Sequence, residues 1–595
     1  MRITNAIRYA FVALAAATAA WVAMTLLLDH GRVNSRALVN AAGNGDEWLM
    51  YGRDYGETHY SPLSQINDKN VSGLGLAWTY ETESPAGAAI QATPLFHNGV
   101  LYGSLGWNIM FAVDARTGTL KWRWDPEIKR EKIARLCCGP VNRGVALYEG
   151  KVYQGMLDGR VVALDQETGT IVWSTQDTVP ESDMILTSAV RVVKGKVIVG
   201  SSGAEHGVRG YFSAYDAETG ERAWRFYTVP GDPSKPFEHS ELEMAAKTWT
   251  GEWWKQGGGG TVWDAMAYDS DADILYVGTG NGSPWNRSYR SPQGGDNLFL
   301  ASIIAVKPDT GRMVWFYQTT PGDHWDYTAA QPIVLADLVI SGRPRKVIMQ
   351  APKNGFFYVL DRITGEFISG QKFVEHVTWA TGIDAKGRPI EAKGARYTNQ
   401  AVVISPGPIG AHAWQPMSFS PLTDLVYLPG QESSFTYTPD LNYRYEPGFW
   451  NTGTSVGRNR RPVDAPFAAP PKPETGIPQP EGADRQPAAH ESFLVAWDPV
   501  TNSERWRLTG PGIGGFRGGG TLATAGNLVF HGNHAFDATT GETLWTVDGL
   551  AGVADPITYM LDGKQYVAML ARPGSANRLF VFTLDAKEPL PPARR

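Results

Sequence analysis

The two cysteines of this 595-residue chain, Cys137 and Cys138, are adjacent in the sequence. Consecutive Cα atoms lie about 3.8 Å apart across a trans peptide, less than the roughly 4.4–6.8 Å that a disulfide usually spans. A disulfide between neighbours therefore needs a distorted peptide, and such strain is typical of functional sites. Two buried free thiols are the alternative interpretation. In both cases the pair excludes a disulfide scaffold and an all-cysteine metal site.

A sequence repeat indicates which elements position the rest of the chain. The pattern Ala-x-Asp-x-x-Thr-Gly-x-x-x-Trp occurs at 112–122, 163–173 and 214–224, with degenerate copies at 305–315, 359–369, 496–506 and 535–545. Each copy predicts a strand, a tight turn in which Gly takes a positive φ, and a second strand that carries Trp. A short β-rich run precedes each copy, so the repeating unit is an antiparallel sheet of about four strands.

Radial repetition of such sheets predicts an all-β fold, an eight-bladed β-propeller. Seven blades follow from the seven copies, and we expect the eighth to be a copy lost in the divergent stretch after Leu425. The run Leu74–Glu81, which holds Trp78, is expected to close the ring by pairing with the C-terminal blade. We predict the propeller over residues 45–590, with a Pro-rich surface insertion at about 429–490. The tryptophans are expected to clamp neighbouring blades.

The N-terminal segment, residues 1–30, is predicted to be a membrane anchor or a signal. Tyr9–Leu28 is an uncharged, mostly apolar run, preceded by Arg2 and Arg8, and as a helix it would span about 30 Å. We favour an uncleaved anchor, because signal peptides usually have apolar regions of only about 7–15 residues. A buried core helix is the third interpretation. Either of the first two exports the chain, which predicts a periplasmic protein, tethered to the inner membrane by residues 9–28 if uncleaved.

Composition excludes several classes of protein. The net charge is -6, with a pI near 6.0, so there is no basic footprint and we expect no nucleic-acid partner. The 66 Gly and 39 Pro residues are too few and too scattered for a fibrous or disordered chain.

Four further motifs carry a resemblance to a known family. They are CCGPVNRG at 137–144, SSGAEHGVRG at 201–210, GTGNGSPWN at 278–286 and DHWDY at 323–327. In this order and spacing they resemble quinoprotein alcohol and methanol dehydrogenases of the type without a fused cytochrome c domain. Members of that family are eight-bladed propellers that use pyrroloquinoline quinone (PQQ) and a metal ion. The resemblance covers about residues 48–584.

The resemblance implies a set of cofactor contacts. Cys137 and Cys138 would form a ring disulfide over one face of PQQ, and Trp263 would stack on the other face. Arg143 suits a cofactor carboxylate, because its guanidinium can bind both oxygens. The remaining implied contacts are Gln91, Thr187, Ser202, Gly203, Ala204, Thr261 and Lys353. Ordinary strand hydroxyls are the alternative interpretation of Thr187, Ser202 and Thr261.

The same resemblance implies the metal ligands and the catalytic groups. Glu205, Asn281 and Asp326 would bind the metal, which we expect to be calcium because the ligands are hard oxygens. Thr328 stands where lanthanide-using relatives carry a further carboxylate, so a lanthanide is disfavoured. Asp326 would be the catalytic base and Lys353 would hydrogen-bond the quinone oxygens. The implied reaction oxidises an alcohol to an aldehyde or ketone, with hydride transfer to C5 of the quinone.

Departures from the family pattern bear on the substrate and the acceptor. Gln91 stands where many members have Glu, Ala413 where they often have Asn, and Gly518 where some have Trp. We hypothesise a reshaped pocket and an alcohol bulkier than methanol. Because the sequence has no Cys-x-x-Cys-His haem motif, we expect electrons to pass to a soluble cytochrome c or a membrane quinone.

Three alternatives to a simple alcohol dehydrogenase stay open at this point. The first is a quinoprotein that oxidises sugars, polyols or polymeric alcohols, since pocket-lining insertions set the substrate. The second, of another class, is a non-catalytic propeller scaffold of the outer-membrane assembly type, which would need neither the cysteine pair nor the Glu, Asn and Asp set. The third is a cofactor-free binding protein. The sequence also leaves a homodimer open.

Overall fold

The structure is a computed structural model, which describes residues 31–85, 90–131, 136, 138–179, 182–456, 477–481, 489–516, 518–574 and 576–591. The predicted anchor or signal, residues 1–30, and Cys137 lie outside the described residues. Residues 457–476 and 482–488 of the Pro-rich insertion lie outside them as well. In the described ranges no helix has the length and apolarity needed to cross a membrane.

The described residues form eight sheets with four antiparallel strands each, one of them extended by a fifth strand, which confirms the predicted eight-bladed propeller; we number them blades 1–8 in chain order. The strands of blades 1–4 are Leu95–His97, Val100–Ser104, Met110–Asp114 and Leu120–Trp124; Ala146–Tyr148, Lys151–Gly155, Arg160–Asp165 and Ile171–Gln176; Arg191–Val193, Lys196–Gly200, Tyr211–Asp216 and Arg222–Tyr227; Met266–Asp269, Ile274–Gly278, Ser302–Val306 and Met313–Gln318.

Blades 5–8 follow the same plan. Their strands are Ile333–Ile340, Arg343–Gln350, Phe356–Asp361 and Phe367–Lys372; Ser418–Ser420, Leu425–Glu432, Glu491–Asp498 and Ser503–Thr509; Thr521–Thr524, Leu528–His531, His534–Asp537 and Thr543–Thr546; Ile557–Leu561, Lys564–Ala571, Arg578–Leu584 and, from the N-terminal side, Leu74–Glu81. Tyr60–Ser61 adds a fifth strand, parallel to Thr521–Thr524, to blade 7.

The eighth blade does not lie where the sequence pattern placed it. The chain after Leu425 forms blade 6, which contains the copy at 496–506, so the prediction of a lost copy there was wrong. Blade 8 instead combines three C-terminal strands with Leu74–Glu81, which pairs antiparallel with Arg578–Leu584. The expected ring closure is thereby confirmed. Blade 8 shows no continuous copy of the repeat because its third and fourth strands come from opposite ends of the chain.

Tryptophans join blades at seven of the eight interfaces between the described blades, as predicted. Trp122 in the last strand of blade 1 donates its indole N–H to the carbonyl oxygen of Gln166 in blade 2, at 3.0 Å. Six more tryptophans make the equivalent bond, at 2.9–3.2 Å: Trp78 to Ala115, Trp173 to Ala217, Trp224 to Pro308, Trp315 to Arg362, Trp506 to Ala538 and Trp545 to Leu74.

The Asp-x-x-Thr-Gly segment explains the turn against which each indole packs. In blade 2, Asp165 Oδ1 accepts hydrogen bonds from the N–H of Thr168 at 2.9 Å and from its hydroxyl at 2.8 Å. Gly169 follows with φ +70°, and a Cβ atom there would lie 2.7 Å from the ring of Trp122. Only Gly therefore satisfies both the backbone conformation and the approach of the indole.

One interface departs from this rule, and both partners change together. The copy in blade 5 has Ser369 in place of Trp, and the copy in blade 6 has Asn502, at φ +52°, in place of Gly. Without an indole against the turn, the Cβ of Asn502 is tolerated. Asn502 Oδ1 instead accepts the indole N–H of Trp497, at 2.8 Å, and Trp497 packs on Phe357 of blade 5.

Shorter elements lie outside the blades. The α-helices are Ser35–Val39, Glu241–Ala246 and Arg287–Arg290, and the 3₁₀ helices are Ala41–Gly43, Val71–Gly73, Gly106–Asn108, Ala204–His206 and Trp253–Gln256. Two-stranded sheets join Gly258–Gly259 to Gly282–Ser283, Ala380–Ile383 to Pro389–Glu391, and Val402–Ile404 to Phe435–Tyr437.

Candidate cofactor and catalytic site

The described site residues all lie at one end of the propeller. In a four-stranded antiparallel sheet the second and fourth strands run in the same direction and end on the same side of the blade. The loops that follow them, between strands two and three and between successive blades, therefore lie at one end of the propeller. We call it the loop end; the Thr-Gly turns lie at the other. The loops between blades supply Gln91, Cys138, Arg143, Thr187, Thr261, Trp263 and Asp326, and the loops between strands two and three supply Ser202, Gly203, Ala204, Glu205, Asn281 and Lys353.

Asp326 is a buried acid at the loop end. Its side chain is 9% exposed, Oδ2 accepts a hydrogen bond from Lys353 Nζ at 2.8 Å, and Oδ1 has no hydrogen-bond partner among the described residues. Burial raises the pKa of Asp326 well above its ordinary value, Lys353 opposes that shift, and the charge of Glu205 adds to it. One carboxylate oxygen is thus oriented by a cation while the other is available to accept a proton.

The backbone around Asp326 is held by a second, fully buried carboxylate. Asp323 Oδ1 accepts the N–H groups of Trp325 at 3.1 Å and Tyr327 at 2.9 Å, which flank Asp326 at φ +66°. Asp323 Oδ2 accepts the N–H of Gly282 at 3.4 Å, in the loop that carries Asn281. Asp323 therefore connects the loops of the predicted base and of a predicted metal ligand.

Arg290 joins the same two loops from the other side and is also fully buried. It donates to the carbonyl oxygens of Pro284 and Trp285, both at 2.6 Å, and to that of Asp323. Sequence reasoning missed Asp323 and Arg290. Asp323 lies within the DHWDY motif, which could have indicated it, whereas nothing in the sequence indicates Arg290.

The three predicted metal ligands lie on adjacent loops. Glu205 belongs to the 3₁₀ turn Ala204–His206, against which the strand Gly282–Ser283 lies, directly after Asn281. Glu205 also acts electrostatically on Asp326. Two carboxylates and one amide form a hard-oxygen donor set that suits calcium. In the described part of the chain no three His, Cys, Asp or Glu side chains converge on one point, so a bound metal here would need ligands from another group.

Arg143 brings the predicted cofactor contacts together. Its Nη1 atom donates to Thr187 Oγ1 and to the carbonyl oxygen of Trp263, both at 3.0 Å, and its guanidinium carbon lies 4.9 Å from the Trp263 ring centroid. Thr187 Oγ1 lies 2.7 Å from Ser202 Oγ. Trp263 itself is only partly buried. An indole beside a guanidinium fits a flat, anionic quinone.

For the other predicted cofactor contacts, the described residues show burial or exposure but no side-chain bond to Arg143. Gln91 is buried and its Oε1 has no hydrogen-bond partner among the described residues, which fits its predicted contact with a polar group of the cofactor. Thr261 is buried, and its carbonyl oxygen accepts the N–H of Gly280 at 2.7 Å. Cys138 is exposed. Because Cys137 lies outside the described residues, the ring disulfide stays a prediction.

The loops that carry Ala413 and Gly518, two departures from the family pattern, are hydrogen-bonded to each other. Gln415, two residues after Ala413, donates from Nε2 to the carbonyl oxygen of Gly515 at 2.6 Å. A Cβ atom on Gly518 would lie 2.6 Å from the carbonyl oxygen of Gly514. The chain's own backbone therefore occupies the space that a side chain at 518 would need in this loop conformation. The effect on the substrate stays a prediction.

A buried charged cluster at the loop end was not predicted from the sequence. We call it the axial cluster and define it as Glu57, Arg143, Arg191, Asp264 and Asp555, each at most 6% exposed. Asp264 precedes blade 4 and Asp555 precedes blade 8, on opposite sides of the ring, yet each raises the pKa of Tyr51. Groups from opposite blades can approach one another only near the axis. Isolated acidic residues are ordinarily solvated, so no sequence signal marked them.

Comparison with known proteins gives the family. The sequence profile described as "PQQ: Glucose/ethanol/alcohol dehydrogenase, beta-propeller domain" matches residues 48–375 and 496–567. Quinohemoprotein alcohol dehydrogenase ADH IIB of Pseudomonas putida is 52% identical over 92% of this chain and 79% of its own length. The 1-butanol dehydrogenase (cytochrome c) of Thauera butanivorans is 42% identical over 92% of this chain and 77% of its length.

Solved structures agree with this. Quinohemoprotein alcohol dehydrogenase from Comamonas testosteroni superposes with a TM-score of 0.86 at 44% identity, over 95% of this chain and 84% of that one. A europium-containing methanol dehydrogenase gives a TM-score of 0.79 at 31% identity, over 92% and 100% of the two chains. The chain therefore belongs to the PQQ-dependent alcohol dehydrogenase family of quinoproteins. The predicted family and enzyme class are confirmed, and the non-catalytic scaffold is not supported.

Proposed function

We propose that the protein oxidises an alcohol to an aldehyde or ketone with PQQ and a calcium ion at the loop end, and that Asp326 is the catalytic base. The observation that carries this proposal is the state of Asp326, which is buried, oriented through Oδ2 by Lys353, and open at Oδ1. A base in that position typically contributes about 10²–10⁴ to the rate.

The residues of the chain have separable roles in this reaction. Bound PQQ and its metal ion supply the hydride acceptor and its Lewis-acid polarisation. Asp326 Oδ1 accepts the hydroxyl proton of the alcohol. Lys353 stabilises the ionised form of Asp326 from 2.8 Å, and in the proposed reaction its ammonium group donates to the quinone oxygens. Trp263 supports one face of the quinone, and Arg143 binds a cofactor carboxylate.

Calcium is the proposed metal because the chain supplies oxygen ligands without an additional carboxylate. Glu205, Asn281 and Asp326 would bind it. Thr328, two residues after Asp326, is buried, and its hydroxyl lies 2.7 Å from Gln331 Nε2. The ligand set therefore carries two negative charges from the protein, which suits a divalent ion better than a trivalent one.

We further propose that the substrate is an alcohol larger than methanol. Support comes from the departures at Ala413 and Gly518 and from the similarity to a 1-butanol dehydrogenase. Sugars, polyols and polymeric alcohols remain the alternative substrate class. Electrons would pass to a soluble cytochrome c or a membrane quinone, and the apolar run at 9–28 supports a periplasmic location at the inner membrane.

The test is reconstitution of the purified protein with PQQ and calcium, or with a lanthanide, followed by dye reduction. The panel should contain methanol, 1-butanol, 2-butanol, glycerol and glucose. We expect the highest kcat/KM for 1-butanol and a higher rate with calcium than with the lanthanide. Thr328→Asp should shift the metal preference towards the lanthanide, and Thr423→Asp, far from the loop end, is the control.

Each proposal can fail separately in this assay. Activity on methanol with none on larger alcohols would contradict the substrate proposal. Faster oxidation of glucose than of any simple alcohol would favour the sugar alternative. No bound-quinone absorbance after reconstitution would contradict the cofactor proposal itself.

A further inference from the structure

The axial cluster contains more negative than positive charge. Its three carboxylates, Glu57, Asp264 and Asp555, face two guanidinium groups, Arg143 and Arg191, and all five side chains are at least nine-tenths buried. If every group is ionised, one negative charge is uncompensated in a region of low dielectric constant. Isolated buried charges are costly, and such a site ordinarily binds a proton instead.

Two of the carboxylates have a cationic neighbour. Glu57 forms a two-point ion pair with Arg191, at 2.7 and 2.8 Å. Asp264 Oδ2 lies 3.6 Å from Arg143 Nε, and Asp264 also interacts with the charge of Arg191. The positive charge of the cluster is therefore already shared by these two acids.

Asp555 is the carboxylate without a cation in contact. It is fully buried, Oδ1 accepts the N–H of Gly520 at 2.7 Å, and Oδ2 accepts the hydroxyl of Thr93 at 2.9 Å. Both partners are neutral, and no described Lys or Arg forms an ion pair with it. Burial raises the pKa of Asp555 to about 7, with a further increase from Asp264 and a decrease from Arg143.

Two neutral side chains near Asp555 do not offer a competing proton site. Tyr51 faces the cluster with its pKa raised by burial, so its hydroxyl stays neutral. His531 binds the carbonyl oxygen of Gly520 at 3.0 Å, and burial lowers its pKa to about 4, so the ring is neutral too. Burial and the hydrogen bonds from Gly520 and Thr93 act most strongly on the pKa of Asp555, and the charges of Asp264 and Arg143 act on it in opposite directions. Glu57, whose pKa burial also raises to about 7, is paired with Arg191 rather than with Arg143.

We propose that Asp555 takes up a proton from solvent when the anionic cofactor binds, so that the axial cluster couples cofactor affinity to pH. This inference rests on the proposed function, in which Arg143 binds a cofactor carboxylate. That carboxylate would compensate the charge of Arg143, which otherwise favours the ionised form of Asp555. The step is a single protonation of a carboxylate to a carboxylic acid, with no change of oxidation state.

Calorimetric titration of the metal-loaded, cofactor-free protein with PQQ tests the proposal. The binding enthalpy is measured at pH 8 in buffers of different ionisation enthalpy, and the slope gives the number of protons bound. With a pKa of about 7, Asp555 is about one-tenth protonated before binding. The slope for the native protein should therefore exceed that for Asp555→Asn, by up to about nine-tenths of a proton. The comparison removes the ionisation of PQQ itself, which is common to both proteins.

The variants are chosen to preserve the local hydrogen bonds. Asn at 555 keeps an acceptor for Gly520 and a donor for Thr93, and Asp562→Asn alters an exposed carboxylate of the same blade as a matched control. Between pH 8 and pH 9, the affinity of the native protein for PQQ should fall by up to about tenfold relative to Asp555→Asn. Asp562→Asn should behave as the native protein.

Equal slopes for the native protein and Asp555→Asn would overturn the proposal. If Asp555→Asn does not fold, infrared difference spectra of the native protein on addition of PQQ decide the question. A new carboxylic acid C=O band, shifted in deuterium oxide, supports protonation, and its absence contradicts it. If PQQ gives neither heat nor bound-quinone absorbance, the proposed function has failed rather than the proton coupling.

Discussion

The two ends of the propeller differ in how their buried polar groups are hydrogen-bonded. We call the end that carries the Thr-Gly turns the turn end, and compare it with the loop end. At the turn end, seven indole N–H groups bond to carbonyl oxygens of the next blade, and the Asp165 turn shows how side chains satisfy the backbone there. At the loop end, Asp326 Oδ1, Gln91 Oε1 and both oxygens of Asp264 are buried without hydrogen-bond partners among the described residues. Unsatisfied buried groups destabilise a fold. The difference indicates that the turn end stabilises the ring and that the loop end is adapted to bind a polar group.

The largest expected effect is at the loop end. Asp326→Asn should lower kcat of the reconstituted enzyme by about 10²–10⁴, because the amide cannot accept the hydroxyl proton. The melting temperature should change little, because removal of a buried acid is opposed by loss of its ion pair with Lys353. Asp271→Asn, at the turn end of blade 4 and 79% exposed, is the control that should retain full activity. Full activity in Asp326→Asn would contradict the assignment of the base.

The opposite result is expected at the turn end. Trp122→Ala should reduce the free energy of unfolding by about 3–5 kcal/mol, because a buried indole that joins blades 1 and 2 is removed. The kcat of the folded enzyme should not change. Urea unfolding and dye reduction measure the two quantities, with the exposed Val172→Ala as control. A loss of kcat without a loss of stability would show that the two ends are not separable.

The stability of the protein should depend on pH through an acid at the loop end, Asp555. Burial raises the pKa of Asp555 from 3.8 to about 7, so between those values the folded protein binds a proton that the unfolded chain has released. The stability of the cofactor-free protein should therefore fall as pH rises through this window, by up to about 4 kcal/mol from this group.

Asp555→Asn should remove that part of the pH dependence. Relative to the native protein, the variant should gain stability between pH 5 and pH 8, as measured by urea unfolding at each pH. Glu57, whose pKa burial raises to about 7 against the opposing charge of Arg191, should leave a residual slope. Parallel stability curves for the two proteins would contradict the prediction.

The smallest effects concern the glycine of the Thr-Gly turn. Gly169→Ala should cost about 1–3 kcal/mol, because its Cβ would meet Trp122 at 2.7 Å and its φ is +70°. In a Trp122→Ala background, where no indole packs against the turn, the same substitution should cost less than about 1 kcal/mol. Urea unfolding in both backgrounds makes the comparison. Similar costs in the two backgrounds would show that the indole does not explain the glycine.

The sequence alone determined the repeat, the fold and the family. The seven copies of the repeat determine the strands and turns locally, because in six of them the turn's own Asp accepts the N–H group of its Thr. The motifs around Glu205, Asn281 and Asp326 identified residues that the fold then placed on adjacent loops. The N-terminal segment and the ring disulfide stay predictions.

Only the tertiary structure decided the position of blade 8 and the composition of the axial cluster. Blade 8 is assembled from Leu74–Glu81 and the C-terminal strands, which no local pattern can join. Asp264 and Asp555 lie 291 positions apart and interact only because ring closure brings blades 4 and 8 to a common axis. Burial, which raises the pKa of both acids, is a property of that closed ring and is not encoded in either residue's neighbours along the chain.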